Sequence, residues 1–430
     1  MINALGKDKI IPRPDYLADL DRHREASDLI KIISGVRRCG KSTLLLMYQN
    51  ELRVQGVNEK QIHTINFEDF TNRSLLDGEK LHKFVETGII KNKMNYIFLD
   101  EVQLVYGFGE IINSLRLRKN IDLYVTGSNS SLLSKKLPKI LGGRYIQIHM
   151  LPLSFKEYVS AINSLPVSLK KENASLRGPG LDLLFQYYLE NSSFPEALAY
   201  FARGDQQGTR EYLAHIYESI ILRDVMQQDD VKELPQLTRV VNFLFSNIGS
   251  ESSINSMINV INNEFRLKQN DKNLYAPLLE RYLEALLGCF IFYKAEKQYI
   301  GGRELLRTNA KYYAVDAGLR YYLLGGTART DAGHLLENIV YLELLRRGYK
   351  VNFGKLGDKE IDFMAQKPGG HIEYYQVSQS IMDQNTLQRE LGTLQAIKDN
   401  YPKFLLTRDY NNDNYNGIQH VNVLEWLLGS

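Results

Sequence analysis

Cysteine and long apolar runs are scarce in this chain of 430 residues. Two cysteines cannot form a disulfide framework or supply a structural zinc site alone, which excludes the stapled small domains of secreted proteins. The longest apolar stretches, such as Cys289 to Tyr293, fall far short of the roughly 20 residues that span a bilayer. The first ten residues, MINALGKDKI, lack the apolar segment of a signal peptide. We therefore expect a cytoplasmic protein with no membrane partner.

The chain also lacks an excess of charge of either sign. Its 53 Lys and Arg and 50 Asp and Glu leave a net charge of +3, so a nucleic-acid partner must be inferred from local basic patches. The charged fraction of 24% and the hydrophobic fraction of 44% are those of a globular protein, which excludes a disordered or fibrous chain. At roughly 100 to 200 residues per domain, the length predicts two to four domains.

The first third of the chain alternates short apolar runs with helical patterns. The runs at 30–34, 62–67, 96–99 and 121–126 have strand length, and the segments between them are long enough for crossover helices. This rhythm predicts an α/β fold in which a parallel sheet has helices on both faces. The stretch 163–180, rich in Ser, Pro, Gly and Lys, indicates a linker after this region.

One glycine-rich motif has the pattern of a phosphate-binding loop. The segment GVRRCGKS matches G-x-x-x-x-G-K-[ST], directly after a predicted strand and directly before a predicted helix. Its glycines let backbone amides converge on phosphate oxygens, Lys41 neutralises phosphate charge, and Ser42 is a Mg²⁺ ligand at a helix N-terminus. The motif predicts an ATP site with Mg²⁺ as cofactor. The nucleotide-binding residues are Gly35, Val36, Arg37, Arg38, Cys39, Gly40, Lys41, Ser42 and Thr43.

The thiol within this motif allows two interpretations. Cys39 is either a small filler of the loop or an oxidisable group beside bound phosphate. The sequence does not decide between them.

Two acids follow at the end of another predicted strand. Residues 96–99 run into Asp100 and Glu101, which places carboxylates where open α/β sheets bind ligands. We expect Asp100 to hold Mg²⁺ through water and Glu101 to polarise the attacking water. A further strand ends in TGSN, whose Ser128 and Asn129 either sense the terminal phosphate or form an ordinary turn and helix cap.

The middle of the chain has the element order of a winged helix. Helical patterns over 237–248, 254–264 and 275–287 precede two β-rich runs that flank the pair Gly301-Gly302, a signal for a tight hairpin turn. Between residues 291 and 313 the hairpin carries five basic and two acidic residues. A wing of this kind would contact DNA phosphates, although a packing module that relays motion fits the same pattern. The DNA contact candidates are Lys294, Lys297, Arg303 and Arg307.

Several motifs together resemble a family of bacterial and archaeal AAA-type ATPases. The first third contributes GVRRCGKSTLL, FLDEVQ, TGSNSSLL and GGRYIQIHMLPLSFKEY, and the remainder contributes KYYAVDAGLRYYL, LENIVYLELLRRGYKV, EIDF and YYQVS. The resemblance implies a RecA-like core with Glu101 as catalytic base and Asn129 or Ser128 as sensor. It also implies that Arg144 touches the terminal phosphate, in cis or from a neighbouring subunit, and that the C-terminal domain is restriction-endonuclease-like.

That domain has two acids of a nuclease layout but lacks its lysine. Glu337 on the leading helix and Asp362 on a strand fit a two-acid Mg²⁺ site, whereas Gln376 replaces the next acid and Ser378 replaces the lysine. We therefore expect a catalytically degenerate site. The acids that could substitute are Glu373 and Glu390.

Four regions and one function follow as predictions. The function is Mg-dependent ATP binding and hydrolysis coupled to conformational change, in DNA binding or a DNA-linked process. Two alternatives stay open, namely a nucleotide-dependent regulatory switch that acts on a protein partner, and an ATP-licensed nuclease. The partners predicted are ATP, DNA, and a protein partner or a second copy of the chain. The regions are an AAA-type P-loop ATPase core over 1–152, a helical lid and linker over 153–230, a winged-helix-like domain over 231–328 and a restriction-endonuclease-like domain over 329–430.

Overall fold

The protein divides into two units. The N-terminal unit comprises Gly6–Pro152 with Gly288–Phe290, and the C-terminal unit comprises Leu153–Leu287 with Ile291–Ser430. No helix within the described ranges combines the length and the apolar character needed to cross a membrane. The computed structural model describes all residues except 1–9, 129–135, 165–178, 227–230, 232, 265–273, 301–308, 327–330 and 430.

A five-stranded sheet forms the centre of the N-terminal unit. Its strands are β1 Ile30–Ser34, β2 Ile62–Asn66, β3 Asn95–Asp100, β4 Ile121–Gly127 and β5 Tyr145–His149. They lie in the order β2-β3-β4-β1-β5, and every neighbouring pair is parallel. β1, β3 and β4 are buried along their whole length, as expected for strands of a parallel sheet covered on both faces. The predicted parallel α/β sheet is confirmed.

Helices connect the strands and cover the sheet. Apolar residues recur at helical spacing, Leu81 with Val85 and Ile112 with Leu115, and these pairs join the strand side chains in one buried core. Asp77 accepts hydrogen bonds from the backbone N–H groups of the first turn of its helix and so fixes where that helix begins. The helices are α1 Pro14–Arg22, α2 Lys41–Val54, α3 Gly78–Gly88, α4 Phe108–Arg116 and α5 Lys136–Leu141.

Helices make up the first part of the C-terminal unit. Its first helix begins with a capping box, in which Ser154 and Glu157 each accept the other's backbone N–H. The bounds are α6 Phe155–Asn163, α7 Pro179–Asn191, α8 Pro195–Ala202, α9 Gln206–Glu218 with a π-helical continuation Ser219–Val225, α10 Leu234–Ser246, α11 Ile254–Glu264 and α12 Ala276–Gly288. The helices predicted over 237–248, 254–264 and 275–287 correspond to α10, α11 and α12.

A mixed sheet forms the second part of the C-terminal unit. Its strands are β6 Phe292–Tyr299, β7 Ala310–Ala314, β8 Lys350–Leu356, β9 Lys359–Gln366, β10 Ile372–Val377, β11 Lys403–Thr407, β12 Asn414–Tyr415 and β13 Ile418–Asn422. They lie in the order β12-β13-β11-β10-β9-β8-β6-β7. The remaining helices are α13 Ala317–Leu323, α14 Ala332–Arg346, α15 Gln384–Gln395 and α16 Val423–Leu428. A restriction-endonuclease-like classification of this sheet stays a prediction.

The hairpin predicted as a wing belongs to this mixed sheet. β6 first pairs antiparallel with β7, and its last residues, Lys297 to Tyr299, then pair parallel with β8. The hairpin is therefore continuous with the strands that follow it in the sequence. The same sheet extends across the domain boundary predicted at residue 328.

The described register of β6 and β7 ends with Glu296 opposite Ala310. The tight turn predicted at Gly301-Gly302 lies outside the described residues and stays a prediction. Arg303 and Arg307 lie outside the described residues.

Candidate functional site

The loop between β1 and α2 has a backbone that two glycines make possible. A Cβ at Gly35 would lie 2.1 Å from the carbonyl oxygen of Met150, so a side chain does not fit there. Gly40 has a φ of 107°, in the left-handed region, and leads directly into α2. No side chain among the described residues caps α2. Without such a cap, the N–H groups of its first turn suit an anion as a partner.

Lys41 lies within the curve of this loop. Its Nζ donates to the carbonyl oxygens of Gly35 at 3.1 Å and Val36 at 3.2 Å. The same ammonium lies 3.8 Å from Oε1 of Glu101, and only 4% of the Lys41 side chain is exposed. A phosphate cradled by the loop would thus meet a positive charge that the backbone already holds in place, which is the fit that an ATP site requires.

Ser42 and Asp100 provide oxygen atoms next to this charge. The exposed hydroxyl of Ser42 is hydrogen bonded to Asp100, whose carboxylate also accepts a hydrogen bond of 2.5 Å from Oγ1 of Thr126. Burial raises the pKa of Asp100, and the hydrogen bonds from Thr126 and Ser42 act against that rise. A hydroxyl and a carboxylate are oxygen ligands of the kind Mg²⁺ prefers, so the residues present fit this ion.

Glu101 adopts an unusual backbone conformation and a constrained side chain. Its φ of 58° lies in the left-handed region. Its Oε2 accepts hydrogen bonds from Nε2 of Gln103 at 2.5 Å and from Oγ of Ser128 at 3.1 Å. Burial opposes ionisation, but Lys41 and the hydrogen bond from Gln103 hold the pKa of Glu101 below its ordinary value. The side chain is therefore an ionised carboxylate at neutral pH, as a proton acceptor must be.

Thr126, the first residue of the TGSN motif, has a positioning role that the sequence reasoning did not assign. Its fully buried Oγ1 accepts the backbone N–H of Glu101 at 2.9 Å and donates to Oδ1 of Asp100. One hydroxyl thus positions both acids. The signal was present in the TGSN motif at the end of β4, and the Gln of FLDEVQ likewise marked Gln103.

We predict that Thr126→Val lowers the ATPase kcat by about 10²-fold, because both acids lose the group that aligns them. The valine keeps the shape of the side chain, so ATP affinity should change little. Thr126→Ser keeps the hydroxyl and should retain a rate close to that of wild type. Steady-state kinetics at varied Mg²⁺ check this, and equal rates for the valine and serine variants would contradict the assignment.

The other residues predicted for this site are placed as follows. Arg37 forms an ion pair with Glu68 at 3.1 Å, and Arg38 is exposed with a φ of 69°. Cys39 is fully buried, and burial raises the pKa of its thiol, so the filler interpretation is favoured over the oxidisable one. Arg144 is exposed just before β5, and its contact with phosphate stays a prediction. Asn129 lies outside the described residues.

A buried arginine joins the nucleotide loop to the segment after β5. Arg13 donates to the carbonyl oxygens of Cys39 at 3.2 Å and Leu151 at 2.8 Å. The hydroxyl of Tyr16 accepts the N–H of Leu151 at 3.1 Å, so the start of α1 binds both backbone groups of this residue. A change in the loop backbone therefore has a direct physical connection to the segment at Leu151.

The C-terminal unit contains a buried cluster of charges around Glu337. Nζ of Lys311, on β7, lies 2.9 Å from Oε1 of Glu337 and 2.8 Å from Oε1 of Glu360. The hydroxyl of Tyr313 donates to the same Glu337 oxygen at 2.6 Å. A lysine therefore lies beside these acids, but it comes from β7 and not from the position of Ser378, and the degenerate site stays a prediction. Ser378 occupies the position at which the nuclease layout has its lysine, and its hydroxyl donates to the carbonyl of Ser380.

Asp362 lies in the same buried cluster of charged groups. Its Oδ2 accepts the N–H of Val377 at 2.8 Å, and its own N–H donates to Oε1 of Gln376 at 3.4 Å. Burial and then the charge of Glu337 place the pKa of Asp362 well above its ordinary value. The two acids considered as substitutes have partners of their own. Glu390 pairs with Arg389 at 2.6 Å, and Glu373 accepts the hydroxyls of Tyr349 and Tyr375.

Two of the residues predicted to contact DNA are engaged within the fold. Lys297 is largely buried and pairs with Glu251 at 2.7 Å, while Lys294 pairs with Glu296 at 3.0 Å. Glu251 also accepts a hydrogen bond from Asn309, which precedes β7, so this carboxylate binds the hairpin from both of its arms. Contact of this residue with a DNA phosphate would require the buried pair to break.

Comparison with known proteins agrees with this description. An AAA domain family matches residues 27–159, and a family described as a domain of unknown function (DUF8612) matches residues 182–330. An uncharacterized protein of Haemophilus influenzae is 37% identical over 421 residues, which cover 97% of this chain and 99% of that protein. An uncharacterized protein of Methanocaldococcus jannaschii is 29% identical over 380 residues, which cover 86% and 79%.

A solved structure shares the fold. The Walker-type ATPase PABY2304 of Pyrococcus abyssi superimposes with a TM-score of 0.51 over 73% of this chain and 96% of its own, at 16% sequence identity. The AAA match covers the strands and the loop described above. The chain therefore belongs to the same family as the Haemophilus influenzae protein, and its residues 27–159 form an AAA-type P-loop domain.

Proposed function

We propose that this protein hydrolyses ATP with Mg²⁺ and couples the cycle to a conformational change in a DNA-linked process. The observation that carries this proposal is the convergence of Lys41, Asp100 and Glu101 at the carboxyl ends of β1 and β3. Lys41 supplies a cation for the phosphate, Asp100 an oxygen ligand for Mg²⁺ and Glu101 a base for the water. Thr126 is hydrogen bonded to both acids.

The loop and the start of α2 bind the phosphates. Backbone N–H groups of the loop donate to phosphate oxygens, and Lys41 exchanges its carbonyl partners for them. Mg²⁺ held by Ser42, and through water by Asp100, would neutralise the charge of the terminal phosphates. Val36 and Cys39 are fully buried and keep the loop packed on the sheet.

Glu101 orients the attacking water and accepts its proton. Gln103 and Ser128 both donate to Oε2, so Oε1 is the oxygen that remains for the water. The low pKa of Glu101 keeps the carboxylate ionised before attack. Asn129 and Arg144 complete this proposal as sensor and as phosphate contact.

Arg13 supports the coupling to a conformational change. It holds the carbonyl of Cys39, in the nucleotide loop, and the carbonyl of Leu151, from which the chain continues into the C-terminal unit. If the loop shifts when phosphate binds, the carbonyl of Cys39 moves and Arg13 moves with it. Arg13 would then carry this movement to Leu151.

The proposal is tested first with Lys41→Ala and a fluorescent ATP analogue. We expect affinity to fall by about 30-fold or more, since losing a desolvated charge contact costs roughly 2–5 kcal/mol. Lys80→Ala removes an exposed lysine of α3 and serves as the control. Unchanged affinity in Lys41→Ala would exclude the loop as the ATP site.

DNA addition separates the proposed process from its alternatives. We expect duplex DNA to raise the ATPase rate of the full chain at low salt. A slow rate that DNA leaves unchanged favours the switch that acts on a protein partner. DNA cleavage with Mg²⁺ or Mn²⁺ would favour the nuclease, which the ion pairs of Glu337 with Lys311 and of Glu390 with Arg389 disfavour.

A further inference from the structure

Basic side chains gather at the edge of the N-terminal sheet opposite the nucleotide loop. The turns that precede β2, β3 and β4 lie at one edge, because these neighbouring strands are parallel. Each turn presents exposed lysine to solvent. We call the set the basic edge, and it consists of Lys60 before β2, Lys91 and Lys93 before β3, and Lys119 before β4.

Side-chain amides hold these three turns together. The buried Asn95 donates through Nδ2 to the carbonyls of Ile90 at 3.0 Å and Asn120 at 3.2 Å. It also accepts the N–H of Ile90 at 2.8 Å. Gln61 connects the turn before β2 to the turn before β3, because its Nε2 donates to the carbonyl of Met94 at 2.7 Å. The basic edge is therefore a preformed surface rather than a set of independent loops.

The charge of the basic edge is not neutralised within the unit. None of its four lysines forms an ion pair with a carboxylate in the part of the chain that the structure describes. The nearby acids have other partners, since Glu59 pairs with Arg53 and Glu86 pairs with Arg118. The surface is bounded on the β1 side by the acidic residues Glu25 and Asp28.

We propose that the basic edge binds the phosphates of a nucleic-acid duplex. This inference rests on the DNA-linked part of the proposed function and assigns it a surface. Adjacent strands lie about 4.8 Å apart, so three strands span roughly 10 Å, the axial distance covered by about three phosphates of one DNA strand. Lysines at fixed positions match phosphates at fixed positions, whereas a fluid anionic membrane requires no such order.

Contacts between lysines and phosphates do not depend on the base sequence of the duplex. Each neutralised phosphate releases counterions, so affinity falls as salt rises. Because the basic edge lies at the amino ends of the strands and the ATP site at their carboxyl ends, a duplex would leave the nucleotide loop open. Both ligands can therefore bind the N-terminal unit at once.

The test compares two variants of the full chain by fluorescence anisotropy with a labelled DNA duplex over a series of KCl concentrations. One variant replaces the lysines of the basic edge with glutamine, as Lys60→Gln, Lys91→Gln, Lys93→Gln and Lys119→Gln. The control removes the same charge from exposed positions of the C-terminal unit, as Arg203→Gln, Arg210→Gln, Arg281→Gln and Lys398→Gln.

We expect wild type and control to share a steep decline of log affinity with log salt. In the basic-edge variant the magnitude of that slope should be smaller by about 3 to 4, because each of the four lysine–phosphate contacts contributes roughly 0.9. Unfolding temperature and ATP affinity should equal those of wild type, which shows that the variant is folded.

Three outcomes would overturn the proposal. An unchanged slope in the basic-edge variant, with wild type still binding DNA, refutes the surface but leaves the DNA-linked function standing. If the control variant loses as much of the slope as the basic-edge variant, the affinity for DNA depends only on the net charge of the protein. Absence of duplex binding by wild type, with binding to phosphatidylserine vesicles instead, refutes the DNA-linked function as well. None of these outcomes bears on ATP hydrolysis, which is measured separately.

Discussion

Glu101→Gln is expected to bind ATP at least as tightly as wild type and to lower kcat by about 10²- to 10⁴-fold. Glutamine keeps the length of the side chain and can still accept the hydrogen bonds that Gln103 and Ser128 donate. It has no carboxylate to take a proton from water. The variant should therefore hold unhydrolysed ATP.

The environment of Glu101 makes this effect large. The ammonium of Lys41 lies 3.8 Å from the carboxylate and contributes to its low pKa. Removing the negative charge frees Lys41 for phosphate, which favours ATP binding. Loss of hydrolysis with retained binding thus separates the catalytic role of Glu101 from a structural one.

Single-turnover hydrolysis and nucleotide titration measure the two effects. Glu110→Gln, which neutralises an exposed acid on α4, is the matched control and should leave both unchanged. Wild-type turnover in Glu101→Gln would remove Glu101 from the role of base and direct attention to another acceptor near Ser128.

The second large effect is expected for Lys311→Met, which should lower the free energy of unfolding of the C-terminal unit by about 3–5 kcal/mol. Methionine fills the volume of the lysine stem but leaves Glu337 buried without its cation. Glu360 and Asp362 lose the same charge. The cost is that of an uncompensated buried carboxylate.

A double variant distinguishes charge from packing. Glu337→Gln in the Lys311→Met background removes the unpaired charge and should recover part of the loss, so the two effects should not add. Urea unfolding followed by fluorescence is suitable, because the chain's one tryptophan, Trp426, is buried in α16 of the C-terminal unit. Lys350→Met, at an exposed position on β8, is the control. A loss below about 1 kcal/mol would mean that water reaches the cluster.

The nucleotide loop and the acids after β3 could be predicted because short motifs and strand order determine them. Eight contiguous residues define the loop, and parallel strands bring their carboxyl ends to one edge. Thr126 and Arg13 could not be assigned in this way. Their partners lie far along the sequence, Asp100 for Thr126 and Leu151 for Arg13, and no local pattern encodes such pairs.

The C-terminal sheet shows the same limit. The residue types in β6 favour a strand but do not specify which strand pairs with it. The sequence therefore indicated a hairpin but not the pairing of the end of β6 with β8. Lys311 was counted as one charge of a wing, whereas pairing of β7 places its ammonium beside Glu337. Whether a lysine is exposed or buried depends here on which strand lies next to it.

The contact of Arg13 with Leu151 also bears on the order of events during synthesis. Residues near the start of the N-terminal unit bind residues near its end, and Met150 packs against Gly35 of the loop. While the chain emerges from the ribosome, the motif from Gly35 to Ser42 is exposed long before β5 exists to support it. The contacts of the loop region with Met150 and Leu151 can therefore form only after translation has passed Pro152.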